Sequence, residues 1–252
     1  MSSNDWITAL AVVLSVASVI VSGLFSIRTA RLSHKLEEDR AQRLEEQSAI
    51  RAAERVYEPL AQAAAELQSR IFNIVETGWV PLMKRYESHG DYAVTSTAFL
   101  FAHYFGWIEA RRQAVLSSSG EGRRDESVQA LIDGVLKTLR RSEGSEGFLF
   151  FTTEQRAIGE LMCEWESLKS GQRIPRVIGY AAFEHRFHND ESFAKWFAPV
   201  HAGMSLVSKG DVRRLVDIQR ALVALIDELD PKRKYTAGFA LEPIDLSDNA
   251  PA

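Results

Sequence analysis

The chain has almost no cysteine and no excess of positive charge. Its 252 residues include one cysteine, Cys163, so no disulfide can form within the chain, which fits a reducing compartment. Lys and Arg total 30 against 34 Asp and Glu, which gives a formal net charge of −4. A general nucleic-acid binder needs a basic face to neutralise phosphates. The charge balance therefore argues against that class, and nucleic acid is not an expected partner.

The sequence also lacks the short motifs of the common enzyme classes. It has no P-loop GxxxxGK followed by Ser or Thr, and no GxGxxG, HExxH, GxSxG or CxxC. These absences lower the expectation of an enzyme without excluding one, and no cofactor is expected. No segment alternates apolar and polar residues for long, and there is no internal repeat or βαβ rhythm. The fold class predicted for the main part of the chain is therefore all-α.

The longest apolar run, WITALAVVLSVASVIVSGLFSI, covers residues 6–27 and contains no charged side chain. As a helix it would be about 33 Å long, enough to cross a hydrocarbon core of about 30 Å. A cleaved secretion signal would have a basic start, a shorter apolar core and a small-residue cleavage site. Here Asp5 precedes the run and Arg28 follows it. The run is predicted to be a retained transmembrane helix, with a cleaved signal and a buried soluble helix as alternatives.

The flanks of this run predict its orientation. Basic residues follow it closely at Arg28, Arg31 and Lys35, and none precedes it. Because basic residues near a span stay on the cytoplasmic side, the N-terminus should face outward and the remainder should be cytoplasmic. The same three residues could rest on anionic headgroups at the membrane surface. The bilayer is thus the first expected partner.

One side of the predicted span carries small residues. They recur at spacings of three and four, which places them on one helical stripe: Thr8, Ala11, Ser15, Ser18 and Ser22. Small stripes let membrane helices approach closely, and hydroxyls can bond across the contact. The stripe favours a homo-oligomer or a partner membrane protein. The alternative is that small residues are simply common in spans.

The predicted organisation has five parts: an extracytoplasmic N-terminus (1–5), a transmembrane helix (6–27), a charged helical stalk (28–52), a cytoplasmic multi-helix domain (53–230) and a disordered tail (231–252). Inside the domain, apolar residues at a spacing of three to four predict helices. These cover about 53–74, 92–108, 128–141, 152–168, 176–188, 191–198 and 211–229, with a loop over 117–127 and Pro199 closing the sixth helix. The run 92–108 is the second apolar stretch. It is too short and too rich in Ser and Thr for a second span, so a helix buried on most sides is expected.

Few residues point to chemistry. His185 and His188 lie three apart and could share a helical face, with Asp190 or Glu191 nearby, but Zn²⁺ needs three or four ligands. They are weak metal candidates, since histidines near a helix C-terminus are common for electrostatic reasons. Cys163 lies beside carboxylates that would raise its pKa, which indicates an inert packed thiol.

Two further features have a functional and a structural interpretation. His103, inside the second apolar run, is expected to be a hydrogen-bonded core histidine. Four arginine pairs would form an anion site only if the fold gathered them, and a solvated helix face is their usual fate: Arg111–Arg112, Arg123–Arg124, Arg140–Arg141 and Arg213–Arg214.

Three segments carry a resemblance to other proteins: YAVTSTAFLFAHYFGWIEARR, FFTTEQRAIGELM and VIGYAAFEHRF. Behind a short N-terminal span, they look like those of uncharacterised membrane-anchored helical proteins of actinobacteria. The resemblance implies a location in the bacterial inner membrane. It transfers no activity and no functional residue.

These features together predict a single-pass membrane protein with a cytoplasmic helical domain that acts in binding or scaffolding and self-associates. One alternative is a membrane-tethered ligand sensor or enzyme with a pocket inside the helical bundle, around His103, Tyr104 and Trp107. A weaker alternative is an effector that perturbs membranes.

Overall fold

The computed structural model describes residues 28–29, 31, 33–44, 56–84, 90–116, 123–142, 147–167 and 173–246. The chain divides into two compact units, Met1–Ile50 and Arg51–Ala252. The predicted span, residues 6–27, and the five residues before it lie outside the described part. Within the described part, no helix combines the length and the apolar character needed to cross a membrane.

In the first unit, residues 33–44 form a helix. Ala, Leu, Glu and Arg dominate this stretch, and all are good helix formers. The described side chains are exposed, including Leu36 and Leu44. His34 Nδ1 lies 3.2 Å from Glu38 Oε1, one turn further along the helix. A charged helix without a buried face, as the sequence predicted, is therefore present over these residues.

The second unit is mostly helical, which confirms the predicted class. A first helix, α1, covers residues 56–76. The other elements are α2 (Trp79–Lys84), α3 (Gly90–Leu116), α4 (Arg123–Arg140), α5 (Thr152–Met162), β1 (Cys163–Ser167), β2 (Arg173–Val177), α6 (Tyr180–Asn189), α7 (Glu191–Ala194), a 3₁₀ turn (Lys195–Phe197), α8 (Ala198–Val207) and α9 (Arg213–Leu229).

Helix α3 is the centre of this unit and contacts α2, α5, α6, α8 and both strands. Its buried residues lie all round the helix and include Phe101, Tyr104 and Phe105. Burying a side chain of this size contributes about 1.5–3 kcal/mol, so these three rings dominate the local core. The expectation of a buried helix over 92–108 is confirmed.

The predicted apolar faces of three other helices are also confirmed. The face of α1 is buried from Leu60 to Ile74 within this one unit, so it belongs to an intramolecular core. Pro59 lies in the first turn of the described helix, where its missing N–H costs little. The faces of α4 and α9 are buried at Val128, Ile132, Val135, Leu139, Leu215, Ile218, Leu222, Leu225, Ile226 and Leu229. Helices α4 and α9 pack against each other through these faces.

Two glycines let α3 and its neighbours approach closely. A Cβ added at Gly159 of α5 would lie 2.8 Å from the carbonyl oxygen of Phe105. A Cβ added at Gly106 of α3 would lie 2.7 Å from Val177 Cγ1. Both distances are shorter than real Cβ contacts, so any side chain here would push the elements apart.

The prediction of a helix continuing to residue 168 is wrong. Helix α5 ends at Met162, and Cys163 has an extended backbone (φ −92°, ψ 125°). Strand β1 pairs antiparallel with β2, with Trp165 opposite Pro175. Trp165, inside the predicted helix 152–168, is 38% exposed. Its spacing from Leu161 matched a helix, but the actual burial partner of α5 is α3 through Gly159.

The predicted role of Pro199 is also wrong. Instead of closing a helix, it occupies the first turn of α8, a helix that the sequence did not predict. Pro suits the first turn as well as the position after a helix, so its presence could not decide between them. Helix α4 likewise begins at Arg123, inside the stretch expected to be a loop. The break between α6 and α7 is confirmed, with Asp190 Oδ1 accepting from the backbone N–H of Ser192 at 2.9 Å.

A strained residue precedes α5. Phe148 has φ 55°, in the left-handed region that non-glycine residues seldom adopt. Its ring lies against Gly203 of α8, where an added Cβ would come within 2.3 Å of the ring. The backbone N–H of Phe148 donates to Pro199 O at 2.9 Å. Contacts with α8 therefore stabilise this conformation.

The described part of the tail is packed, contrary to the predicted disorder. Asp230 ends α9, and its carboxylate accepts from the backbone N–H groups of Lys234, Tyr235 and Thr236 and from the Thr236 hydroxyl at 2.8–3.0 Å. Further along, Ile244 is 3% exposed. Residues 247–252 lie outside the described part.

Candidate functional site

Only some of the residues predicted to face the membrane belong to the part of the chain that the structure describes. Thr8, Ala11, Ser15, Ser18 and Ser22, the proposed stripe, all lie outside them. Arg28, Arg31 and Lys35 lie within them and are exposed. Their solvent-facing positions agree with a role at a charged surface and do not test it.

The two candidate metal ligands are on α6 and both are exposed. Asn189 Nδ2 donates to the backbone oxygen of His185 at 2.7 Å. The His188 ring lies perpendicular to Phe187, with the centroids 5.5 Å apart. Among the described residues, no group of three or more His, Cys, Asp or Glu side chains is arranged to hold a metal ion. The structure therefore adds no third ligand to His185 and His188.

Cys163 lies at the junction of α5 and β1 and is half-buried. Burial raises the pKa of its thiol to about 11, and Glu109 and Glu164 add to the increase. A thiol with this pKa is almost entirely protonated near neutral pH and is a poor nucleophile. The interpretation as an inert thiol is supported.

Among the described side chains, the arginine pairs do not gather into one site. Arg111 is buried and donates to Gln129 Oε1 at 2.5 Å, whereas Arg112 pairs with Glu109. Arg214 of α9 donates to the backbone oxygens of Thr138 and Arg141, so it caps the C-terminal end of α4. Arg111 and Arg112 lie on α3, whereas Arg214 lies on α9 and binds the end of α4. The side chains of Arg123 and Arg124 are outside the described part.

A group that the sequence did not single out lies between α1, α2 and α3. We call it the Arg70 cluster: Arg70, Trp79, Tyr92, Ser96 and Thr97. Arg70 Nη1 donates to Ser96 Oγ at 2.7 Å and to Thr97 Oγ1 at 3.1 Å. The guanidinium carbon lies 4.0 Å from the centroid of the Trp79 ring, a cation–π contact. Both hydroxyl residues are buried.

The electrostatics of Arg70 are unusual. Burial lowers the pKa of its guanidinium, and the neighbouring Tyr92 and Tyr180 act in the opposite direction. Within the part of the chain that the structure describes, no carboxylate lies within ion-pair distance of Arg70. Buried charges are usually paired, because removing an ion from water is costly. Arg70 is thus a half-buried cation held by neutral groups.

An aromatic strip continues from this cluster: Tyr180, Phe99, His103 and Trp107. Tyr180 is edge-on to Tyr92 (centroids 6.5 Å apart) and to Phe99 (5.3 Å). Phe99 stacks on His103 at 5.1 Å. The Tyr180 hydroxyl donates to Glu184 Oε1 at 2.9 Å, and burial together with this bond raises the pKa of Tyr180 to about 12. All four members are partly exposed.

His103 is fixed by its neighbours. Trp107 Nε1 donates to His103 Nε2 at 3.1 Å, and Glu66 Oε2 lies 3.6 Å from Nδ1. Because Nε2 already accepts a hydrogen bond, this nitrogen is not free to take a proton from a substrate. The predicted hydrogen bond of His103 is present, but the side chain is 21% exposed and lies at the edge of the core instead of inside it.

Weak signals of this site were present in the sequence. Ser96 and Thr97 are polar residues inside an otherwise apolar run, and their composition argues against a membrane span without indicating a binding partner. Arg70 lies next to Ile71 on the edge of the apolar face of α1. No pattern within either segment shows that the two would meet.

Comparisons of this chain with protein-family models, with curated proteins and with solved structures produced no match. The functional interpretation therefore depends on the geometry described above.

Proposed function

We propose that this chain is a single-pass membrane protein whose helical domain is a cytoplasmic binding module, with the Arg70 cluster as the site that receives an anionic group of its ligand. The supporting observation is the half-buried guanidinium of Arg70, which has no carboxylate partner among the described residues.

An anion fits this site for electrostatic reasons. Arg70 stays charged at neutral pH because its intrinsic pKa is far above 7. A guanidinium has five N–H donors. Nη1 donates to Ser96 and Thr97, and a further side-chain bond joins Arg70 to Tyr92, so the remaining N–H groups can bind a ligand. Carboxylates and phosphates accept two parallel bonds from one guanidinium, and such charged bonds are about twice as strong as neutral ones. The ring of Trp79 fixes the plane of the guanidinium for this contact.

The aromatic strip indicates what else the ligand carries. Tyr180 and Phe99 extend from the cluster as partly exposed rings, which favours an apolar or aromatic group next to the anion. The shared chemistry of the ligand is therefore a carboxylate or phosphate attached to a ring or chain.

The test uses the full chain in detergent micelles, labelled with 5-fluorotryptophan. Phenyl phosphate and benzoate are titrated separately, and the ¹⁹F resonance of Trp79 is assigned by its loss in the Trp79→Phe variant. We expect that resonance to shift and saturate with one of the two probes, which also distinguishes phosphate from carboxylate. A Kd of about 1 mM corresponds to about 4 kcal/mol, so weak binding is still measurable.

The controls separate a specific site from general charge. Arg70→Gln should weaken binding at least about tenfold, and Arg70→Lys should not restore it, because lysine cannot form two parallel bonds. Arg156→Gln removes an exposed arginine paired with Glu160 and should have no effect. If neither probe moves the Trp79 resonance at about 10 mM, or if both Arg70 variants bind normally, the proposed site is wrong.

An enzymatic function is the less favoured alternative. The Glu66–His103 contact has the form of a carboxylate orienting a general base. However, Trp107 occupies the nitrogen that would have to act, and no hydrogen bond between His103 and a serine or cysteine is present among the described residues. Binding therefore fits this arrangement better than catalysis, because catalysis would require the Trp107 bond to break and a nucleophile to be supplied.

The membrane location and the self-association are supported by sequence features alone. They depend on the apolar run 6–27, the basic residues after it and the small-residue stripe on it. The resemblance to membrane-anchored actinobacterial proteins implies the same location.

A further inference from the structure

The segment after the Asp230 turn has no regular secondary structure, yet side chains of two helices hold its backbone. Gln219 of α9 binds it twice: Nε2 donates to the backbone oxygen of Glu242 at 2.8 Å, and Oε1 accepts from the N–H of Ile244 at 3.0 Å. The neighbouring Arg220 donates through Nε to the oxygen of Ile244 at 2.9 Å. A single glutamine thus pairs with the segment as a neighbouring strand would.

Helix α1 supplies the third contact. Gln68 Nε2 donates to the backbone oxygen of Ala240 at 2.7 Å. Gln68 and Gln219 are both completely buried. We call Gln68, Gln219 and Arg220 the tail clamp. Burying an amide is costly unless it is bonded. The segment satisfies both ends of the Gln219 amide and the Nε2 of Gln68, whereas Gln68 Oε1 has no partner among the described residues.

The contacts alternate along the segment. The clamp binds residues 240, 242 and 244, whereas Phe239 and Leu241 pack partly buried against the core. Ile244 is the anchor, at 3% exposure, and Glu242 faces solvent. Main-chain bonds at alternate residues combined with a few apolar pockets are the way proteins bind an extended peptide.

The segment is attached through an exposed connection. Asp230 fixes the chain as far as Thr236, which is 1% exposed. Ala237 and Gly238 are exposed, and no atom lies within 4 Å of a Cβ added at Gly238. The N–H of Phe239 donates to Thr236 O at 3.0 Å across these two residues, so a pivot here breaks one backbone bond and leaves the bonds of the Asp230 carboxylate intact.

We propose that the tail clamp is a binding site for an extended peptide, and that the same C-terminal segment of a second copy of this chain occupies it by exchange. The segment is the ligand whose fit the structure shows, and a second copy offers identical contacts. Exchange of an identical element between protomers conserves every bond made within one chain, so it needs little energy beyond bringing two copies together.

This site is separate from the Arg70 cluster. Gln68 and Arg70 are two residues apart on α1, and residues at that spacing do not share a helical face. The proposal therefore does not depend on the proposed function, and each can fail without the other.

The first experiment measures binding of a labelled synthetic peptide, residues 237–246, to the full chain carrying Ile244→Asp. This change removes the anchor of the resident segment and leaves the clamp intact. We expect saturable binding by fluorescence anisotropy, with at least tenfold weaker binding to the unmodified chain, whose own segment competes. Adding Gln219→Ala to the receptor, or Ile244→Asp to the peptide, should abolish binding.

The second receptor is a chain that ends at Ala237 and so lacks the resident segment. It is used in case the Ile244→Asp chain does not fold. Absence of peptide binding to both receptors, each with the helical circular dichroism of the unmodified chain, would overturn the proposal.

The second experiment tests exchange between full chains. Copies with a defective clamp (Gln219→Ala) and copies with a defective segment (Ile244→Asp) carry different tags and are co-expressed. The mixed pair should co-purify at least several-fold better than either variant with itself, because only the mixed pair has one intact clamp and one intact segment. Association through residues 6–27 would make all three pairs co-purify, so every copy also carries Ser15→Leu, Ser18→Leu and Ser22→Leu. Equal co-purification of all three pairs in this background would contradict exchange.

Discussion

Replacing Asp230 by asparagine should destabilise the helical unit strongly. The carboxylate accepts four hydrogen bonds, three from backbone N–H groups and one from a hydroxyl. An asparagine oxygen can replace one carboxylate oxygen, but the amide NH₂ then faces the donors of the other. A hydrogen bond to a charged group contributes about 1.5–3 kcal/mol and a neutral one about 0.5–1.5 kcal/mol, so we expect a loss of about 3 kcal/mol.

The pH dependence provides a sharper test of the same group. Burial raises the pKa of Asp230, but the bonds from Tyr235, Lys234 and Thr236 outweigh it, so the net pKa is lowered. An unfolded aspartate has a pKa of about 3.9. The stability that Asp230 contributes is therefore complete above that pH and is lost as the pH falls through the lower folded pKa. The difference in free energy of unfolding between the unmodified chain and Asp230→Asn should be largest at pH 7 and should shrink toward pH 3.

The assay is urea unfolding of the full chain in mild detergent, followed by circular dichroism at several pH values. Asp227→Asn is the matched control, since that aspartate is exposed and pairs with Arg233 on the surface. Such surface pairs contribute at most about 1 kcal/mol. A difference below about 1 kcal/mol for Asp230→Asn, or one that does not change with pH, would refute the reasoning.

Two further predictions concern packing in the helical unit, and a third concerns the small-residue stripe of the sequence. Gly159→Ala should cost about 1–3 kcal/mol in urea unfolding because its Cβ would meet the carbonyl oxygen of Phe105, whereas Gly134→Ala, in open space on α4, should be neutral or stabilising. Tyr104→Phe should stabilise the domain by up to about 1 kcal/mol, since the buried hydroxyl has no hydrogen-bond partner among the described residues; a large loss would show that it has one. If residues 6–27 form the proposed span, single cysteines in a Cys163→Ala background should crosslink in cells on the stripe and not on the opposite face. The positions compared are Ser15, Ser18 and Ser22 against Leu14 and Val21, and equal crosslinking on both faces would contradict a specific helix contact.

Elements with a strong apolar stripe were predictable from the sequence. Helices α4 and α9 bury the residues that their spacing indicated, and α3 is surrounded by core because it is apolar on all sides. The β1–β2 pair was not predictable in this way, because Leu161 and Trp165 also have helical spacing. Tertiary contacts determine where α5 ends. Gly159 packs against α3, and β1 pairs with β2, which comes later in the chain.

The tail and the candidate site were missed for a different reason. Residues 240–244 are held through their backbone, and a backbone contact leaves no mark on the composition of the segment. The Arg70 cluster joins a residue of α1 to two hydroxyls of α3. Spacing within one segment does not show that they meet. The histidine pair of α6, which spacing did suggest, has no further metal ligand among the residues that the structure describes.

The contact between Phe148 and Gly203 has a consequence for how this sequence can diverge. The left-handed backbone at Phe148 places its ring where a side chain at residue 203 would otherwise be. Neither position can change freely while the other is fixed. A larger residue at 203 requires a smaller one at 148, and an aromatic ring at 148 requires glycine at 203. Homologous chains should therefore vary at these two sites jointly, and the pair would serve as a marker for aligning distant relatives whose remaining residues have drifted.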